Sequence, residues 1–173
     1  MHLSLIGMSN VGKTYWSKKL EPLGFTRFGC DDEIEKILGV ADLSKWMRFP
    51  DTDGYRDREG EYLNAEEQTL QTVLNQLPDG DVVIDTTGSV IYLNPDLLNE
   101  LKAKTKIVYL QAKEGMVELM IQKFFSNPKP LVWGDHFLPL DGENRDEALR
   151  RCYPELLKWR QEQYSQLADL TIP

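Results

Sequence analysis

Residues suited to phosphate chemistry occur near the start of the chain. Residues 7–14 read Gly-Met-Ser-Asn-Val-Gly-Lys-Thr, the spacing G-x-x-x-x-G-K-[ST]. In such a loop, glycines let backbone N–H groups turn towards phosphate oxygens, the lysine reaches the outer phosphates, and the hydroxyl is suited to Mg²⁺. An apolar run precedes the motif and a helical pattern follows it. The pattern therefore predicts a nucleoside triphosphate site, formed by Gly7, Asn10, Val11, Gly12, Lys13, Thr14 and Tyr15.

Carboxylates follow two other apolar runs. Asp31 comes shortly after residues 25–28, and it could either cap the helix that starts there or accept a proton from a substrate hydroxyl. Asp85 directly follows residues 82–84, and it could either hold Mg²⁺ with Thr14 or serve as a turn residue. Both alternatives stay open at each position.

Two cations stand out by their surroundings. Arg160 interrupts an apolar stripe at helical spacing near the end of the chain, and a buried arginine needs a carboxylate or an anionic ligand. Lys129 lies between two prolines in the long aperiodic segment 127–144, which is a candidate lid. Lys129 could contact phosphate when the lid closes, or it could be an ordinary surface lysine.

Five short apolar runs alternate with helical patterns, which indicates an α/β fold with a parallel sheet. The runs are residues 3–6, 25–28, 82–84, 107–110 and 170–172, and helices are expected near 62–77 and 94–103. Ligands of such sheets bind at the carboxyl ends of the strands, where the loop motif and both carboxylates lie.

Composition narrows the classes of partner. The 173 residues fit one domain, 1–173, and the net charge of −8 argues against nucleic acid. No stretch is apolar and long enough to span a membrane, and two cysteines favour reduced thiols. We therefore expect a cytoplasmic monomer that binds small molecules.

These motifs together resemble the shikimate kinases, small enzymes with a P-loop NTPase fold. Besides the loop, the resemblance rests on five short elements in the family's order. They are Asp31-Asp32-Glu33-Ile34-Glu35-Lys36, Tyr55-Arg56-Asp57-Arg58-Glu59, Thr86-Thr87-Gly88-Ser89-Val90, Lys129-Pro130-Leu131 and Arg160-Gln161-Glu162-Gln163-Tyr164. The resemblance implies a five-stranded parallel sheet in the order 2-3-1-4-5, with a substrate-binding helical segment at about 31–62 and a lid at about 127–144.

The resemblance also implies an activity: transfer of the γ-phosphoryl group of ATP to a hydroxyl of shikimate or a similar small hydroxylated carboxylate, with Mg²⁺. By this resemblance Lys13, Asp31 and Lys129 would be catalytic. The acceptor would be held by Asp31, Arg56, Glu59, Thr87, Gly88 and Arg160. Within that set, Glu59 would orient Arg56, and both arginines would clamp the carboxylate.

The chain departs from the family pattern at several positions. Gly29 replaces the first of two paired acids, and Asp85 stands where the family has a small uncharged residue. We hypothesise that the carboxylate near Mg²⁺ has moved from the end of the second strand to the end of the third. Thr86 and Thr87 replace turn glycines and would crowd the acceptor or offer it new hydroxyl contacts.

Three alternative functions remain. The sequences Asn-Val-Gly-Lys-Thr at residues 10–14 and Asp-Thr-Thr-Gly at 85–88 also match elements of small GTPases, although no guanine-reading Asn-Lys-x-Asp follows. The departures from the family pattern would also permit a weakly active protein that senses nucleotide and metabolite. A kinase for another small hydroxy acid is the third.

Overall fold

A parallel β-sheet forms the centre of the protein. The computed structural model describes residues 1–126 and 131–173. The strands are β1 His2–Ile6, β2 Thr26–Gly29, β3 Val82–Asp85, β4 Lys106–Leu110 and β5 Leu170–Ile172. They pair in parallel in the order β2-β3-β1-β4-β5. This confirms the expected strand order, and each of the five apolar runs forms a strand.

Seven α-helices accompany the sheet in the described part of the chain. They are α1 Lys13–Leu20, α2 Cys30–Leu38, α3 Leu43–Trp46, α4 Tyr55–Asn75, α5 Pro95–Lys104, α6 Glu114–Ser126 and α7 Arg145–Leu167. Helix α4 begins two turns earlier than its apolar pattern indicates. The reason is that its first two turns bury Tyr55 and Glu59 together, so a carboxylate occupies a position that an apolar residue would mark.

The two faces of the sheet bury different residues of each strand. Ile6, Ile84 and Tyr109 belong to the larger cluster, which also includes residues of α2, α4, α5 and α7. Leu5 and Val83 belong to a smaller cluster on the opposite face, with Leu20 and Phe25 packed against it. Because successive side chains of a strand point to opposite faces, this alternation gives the sheet two apolar surfaces, both covered.

The described residues of the candidate lid differ in burial. Val132, Trp133 and Phe137 are buried in the larger cluster, whereas Leu138 and Leu140 are largely exposed. Lys129 lies outside the described residues. The lid therefore stays a prediction, and segment 131–137 is packed against the body of the protein. None of the helices in residues 1–126 and 131–173 is long and apolar enough to cross a membrane.

Candidate active site

The phosphate-binding loop links β1 to α1. Asn10 has φ of +67°, a left-handed conformation that asparagine tolerates better than most residues, as its place in the loop predicts. Gly12, with φ of +98°, is the N-cap of α1. The loop thus ends at a helix N-terminus, where backbone N–H groups and the helix dipole favour an anion. Thr14 and Tyr15 lie exposed in the first turn of α1.

Lys13 is folded back on the loop. Its ammonium group donates to the carbonyl oxygens of Gly7 at 2.8 Å and Met8 at 2.9 Å. Burial lowers the pKa of Lys13 to about 8, and the charges of Asp31 and Asp85 oppose that decrease. Lys13 therefore carries a positive charge at pH 7, with two loop carbonyls as hydrogen-bond partners and the charges of Asp31 and Asp85 acting on it.

Asp31 lies in the first turn of α2, not at its N-cap. The helix begins at Cys30 and its N-cap is Gly29, without a side-chain cap. The interpretation of Asp31 as a capping residue is therefore wrong, because the helix starts two residues earlier than that role requires. Its carboxyl is open to solvent on one side. Nearby protein raises its pKa by partly displacing water, and Lys13 opposes the shift.

Residues 86–89, which we call the acceptor turn, connect β3 to the rest of the site. Thr86 Oγ1 donates to Leu5 O at 2.8 Å, and Thr87 Oγ1 donates to Glu66. Both hydroxyls are therefore bonded within the protein. Gly88 lies so close to its neighbours that an added Cβ would be 3.1 Å from Ser9 Oγ. A glycine at position 88 thus lets the turn approach the phosphate-binding loop.

Arg160 is a buried cation on α7. Its side chain reaches across the core, where Nη2 donates to Val132 O at 2.5 Å and the guanidinium lies 5.4 Å from the ring centre of Tyr92. Its Nε is buried and has no hydrogen-bond partner in the described residues, and no ion pair of Arg160 with a carboxylate occurs among them. A Cβ at Gly88 would be 3.8 Å from its Nη1. The expected burial of Arg160 is confirmed, and its guanidinium lies beside the acceptor turn.

Arg56 and Glu59 meet beside Trp133 and Gly134, in the middle of segment 131–137. Arg56 Nη1 donates to Glu59 Oε2 at 3.0 Å and to Gly134 O at 2.6 Å, and the Arg56 side chain is 58% exposed. The other Glu59 oxygen accepts from the backbone N–H groups of Trp133 at 2.8 Å and Gly134 at 2.9 Å. Arg56 and Arg160 therefore contact carbonyls two residues apart in the same segment, those of Gly134 and Val132.

Asp85 forms a closed cluster with two residues that the sequence interpretation did not include. Its Oδ2 accepts from Arg27 Nη2 at 2.8 Å and from Ser17 Oγ at 3.1 Å, and Arg27 Nε donates to Ser17 Oγ at 2.9 Å. Arg27 and Gly29 lie on the same face of β2, and a Cβ at Gly29 would be 2.8 Å from Arg27 Nη2. Glycine at position 29 therefore makes room for the guanidinium that pairs with Asp85.

The register of the sheet bears on the predicted shift of the metal-side acid. Gly29 at the end of β2 pairs directly with Asp85 at the end of β3. The carboxylate thus lies one strand away from the position that the family pattern gives it. Thr14 and Asp85 offer hard oxygen donors of the kind that Mg²⁺ prefers. No group of three or more His, Cys, Asp or Glu side chains that could hold a metal ion occurs in the described residues.

The ion pair between Arg27 and Asp85 should couple the effects of substituting these two residues on the free energy of unfolding. Arg27→Met is expected to lower the free energy of unfolding by about 3 kcal/mol, because it leaves Asp85, only 6% exposed, without its cation. Asp85→Asn in the Arg27→Met background is expected to restore part of that loss. Urea unfolding of the wild type, both single variants and the double variant measures the coupling. Additive effects of the two substitutions would contradict the pairing.

Comparison with known proteins shows which sequences this chain resembles. No family model matches the chain. It is 28% identical over 173 residues to the shikimate kinase of Pasteurella multocida and 26% identical to that of Mannheimia succiniciproducens, covering 99% of this chain and 85% of each relative.

Solved structures show the same likeness. A shikimate kinase from Acinetobacter baumannii in complex with shikimate superposes with a TM-score of 0.66 at 25% identity, covering 99% of this chain and 82% of that one. The shikimate kinase of Aquifex aeolicus, at 19% identity, has a TM-score of 0.63 and covers 99% of this chain and 86% of that one.

Fold and phosphate-binding loop together define a P-loop NTPase domain. Over 99% of its length, and with a matching strand order, the chain is similar to shikimate kinases.

Proposed function

We propose that this protein transfers the γ-phosphoryl group of ATP to a hydroxyl of shikimate or of a similar small hydroxylated carboxylate. The observation that supports this most strongly is Arg160, a buried guanidinium without a carboxylate partner in the described residues, beside Gly88 and the phosphate-binding loop. An anionic group of the acceptor would supply the missing charge. The shikimate complex of the Acinetobacter baumannii relative supports the choice of this acceptor.

In this proposal each residue has a defined part in the transfer. Lys13 leaves its loop carbonyls and contacts the outer phosphates. Arg160 and Arg56 hold the acceptor carboxylate, and Glu59 orients Arg56. The acceptor oxygen attacks the γ-phosphorus, the bond from that phosphorus to the leaving oxygen of ADP breaks, and Asp31 receives the proton of the hydroxyl.

Positioning accounts for most of this chemistry, because phosphoryl transfer needs aligned reactants and charge neutralisation. Mg²⁺ would neutralise charge on the β- and γ-phosphates when bound. We propose that Thr14 would hold the ion and that Asp85, already engaged by Arg27 and Ser17 through Oδ2, would face its water shell. Gly88 would approach the acceptor, with Thr87 beside it, and Tyr15 would border the nucleotide. Lys129, outside the described residues, would add a cation from the lid.

Coupled ADP release tests the proposal. Turnover is measured with ATP and Mg²⁺ in the presence of shikimate, of a panel of other small hydroxy acids, or of no acceptor, and again with GTP. We expect turnover that depends on shikimate or on one member of the panel. No stimulation by any acceptor at saturating ATP would contradict the proposal. Hydrolysis of GTP without acceptor would favour the GTPase alternative, and binding of both ligands without turnover would favour a sensor.

A further inference from the structure

Glu66 is a buried carboxylate on α4 that the proposed reaction does not use. It is 2% exposed and bonds two hydroxyls of the acceptor turn: Oε1 accepts from Thr87 Oγ1, and Oε2 accepts from Ser89 Oγ at 2.6 Å. The two hydroxyls lie 2.9 Å apart, and the Tyr62 hydroxyl lies 3.2 Å from Ser89 Oγ. Glu66 therefore holds the acceptor turn by two hydrogen bonds.

The acceptor turn that Glu66 holds contacts both halves of the proposed site. On its far side, Gly88 approaches Ser9 of the phosphate-binding loop and Nη1 of Arg160. The Gly88 carbonyl accepts a hydrogen bond at 2.5 Å from Tyr164, one turn beyond Arg160 on α7. A shift of the acceptor turn would change the separation between the phosphate-binding loop and the anion-binding guanidinium. Glu66 is thus placed to fix that separation.

The charge of Glu66 is coupled to Arg160. No lysine or arginine nitrogen of the described residues forms an ion pair with Glu66. Burial raises the pKa of Glu66 to about 7, while its bonds to Ser89 and Thr87 and the charge of Arg160 oppose the rise. The charge of Arg160 favours the ionised form of Glu66, so an anion that binds and neutralises Arg160 favours the protonated form. Because linkage is reciprocal, protonation of Glu66 in turn favours binding of that anion to Arg160.

We propose that Glu66 is a positioning residue of the acceptor site, which fixes the acceptor turn through Thr87 and Ser89 and whose charge sets the affinity of Arg160 for the acceptor anion. The inference rests on the proposed function in one respect, that Arg160 binds an anionic group. The negative charge of ionised Glu66 weakens the electrostatic attraction between Arg160 and the acceptor anion, and neutral Glu66 does not. Acceptor affinity therefore rises as pH falls through the titration of Glu66.

Several other charged or titratable groups interact with Glu66, and their titration must be distinguished from that of Glu66. These groups lie in α1, α2, α4 and α7. They are Lys13, Cys30, Asp31, Tyr62, Arg160 and Tyr164. His136 faces Arg160 from segment 131–137, and burial lowers its pKa from 6.5. Saturating ADP places phosphates on Lys13, which keeps it charged throughout the titration.

Calorimetry with two probes, benzoate and shikimate, tests the proposal in the presence of saturating ADP and Mg²⁺. Benzoate reports on the carboxylate site without assuming the acceptor. For the wild type we expect each dissociation constant to rise about fivefold between pH 6 and pH 8, at the lower end of ordinary coupling between sites. Glu66→Gln, which is neutral at every pH, is expected to keep the tight value of pH 6 throughout, within about twofold.

Matched variants isolate Glu66 from its surroundings. Glu61→Gln, an exposed position on the same helix, and His136→Gln are expected to retain the dependence on pH of the wild type. The same pH dependence in Glu66→Gln as in the wild type would overturn the proposal, as would a wild-type affinity that does not change with pH. Undetectable benzoate binding would also overturn it, because Arg160 would then bind no carboxylate. Benzoate binding with the expected pH dependence, but no turnover with shikimate or any panel acceptor, would overturn the proposed function alone.

A second measurement needs no ligand. The folded pKa of Glu66, about 7, lies above its ordinary value of 4.5, so the folded protein binds more protons than the unfolded chain between those values. The stability that this group contributes is present below pH 4.5 and is lost as pH rises through 7. We therefore expect the Tm of the wild type to fall relative to that of Glu66→Gln between pH 4.5 and 7.5. Parallel pH profiles for the two proteins would contradict the burial of a titrating carboxyl.

Discussion

Asp31→Asn is expected to lower kcat about 10²- to 10⁴-fold, the range that a positioned general base contributes. The asparagine amide keeps the shape of the side chain but cannot accept the proton of the acceptor hydroxyl. Because Lys13 and the phosphate-binding loop bind the nucleotide without Asp31, the KM for ATP is expected to change little. Steady-state kinetics with shikimate, or with the panel acceptor that supports turnover, measure both quantities.

Asp32→Asn is the matched control for this experiment. Asp32 is the next residue of α2, is also exposed, and has no assigned role, so its kcat is expected to stay within about twofold of the wild type. An unchanged kcat in Asp31→Asn would contradict the assignment of the base. Equal losses in both variants would show that the start of α2, and not the carboxyl of Asp31, is what matters.

Arg160→Gln is expected to lower kcat/KM for the acceptor about 10²- to 10³-fold, chiefly through a higher KM. Loss of one partner of a buried charge pair costs about 2–5 kcal/mol, which is of that size in rate. Arg160→Lys is expected to lie between the wild type and Arg160→Gln, because an ammonium keeps the charge but loses the planar fork that matches a carboxylate. Kinetics at varied acceptor and saturating ATP give the two parameters.

Lys158→Gln serves as the control on the same helix, since Lys158 is exposed on α7. Its kinetics are expected to match the wild type. A fall in kcat alone, with an unchanged acceptor KM in Arg160→Gln, would mean that Arg160 does not bind the ground-state acceptor. Thermal unfolding of each variant separates this effect from a loss of folded protein.

Local patterns predicted most of the fold. Apolar runs of three or four residues each became a strand, as expected for a parallel sheet. The runs in β3 and β4 are almost fully buried, whereas the edge strands β2 and β5 are more exposed. Arg160 was also predictable, since helical spacing places it in the buried stripe with Leu156 and Tyr164. The start of α4 was missed because Glu59 is buried there, and burial of a carboxylate depends on backbone N–H groups more than 70 residues away.

The clusters around Asp85 and Glu66 were not predicted, although the sequence carries a weak indication of each. Arg27 and Gly29 are two residues apart in a strand and so share a face, but their contact with Asp85 depends on the register of β2 and β3. Glu66 follows Tyr62 by four residues and precedes Leu70 by four, and so occupies the same apolar stripe of α4. A carboxylate in such a stripe indicates a buried polar network, but its partners at positions 87 and 89 are set by tertiary structure.

Phosphorus NMR of the reaction products shows directly whether a phosphoryl group passes to a small hydroxylated carboxylate. The protein is incubated with ATP, Mg²⁺ and shikimate, or with a hydroxy acid that stimulates ADP release. We expect one new phosphate monoester signal that grows in step with ADP and fails to grow with Asp31→Asn. ADP accompanied only by inorganic phosphate, with every acceptor, would contradict the proposed transfer.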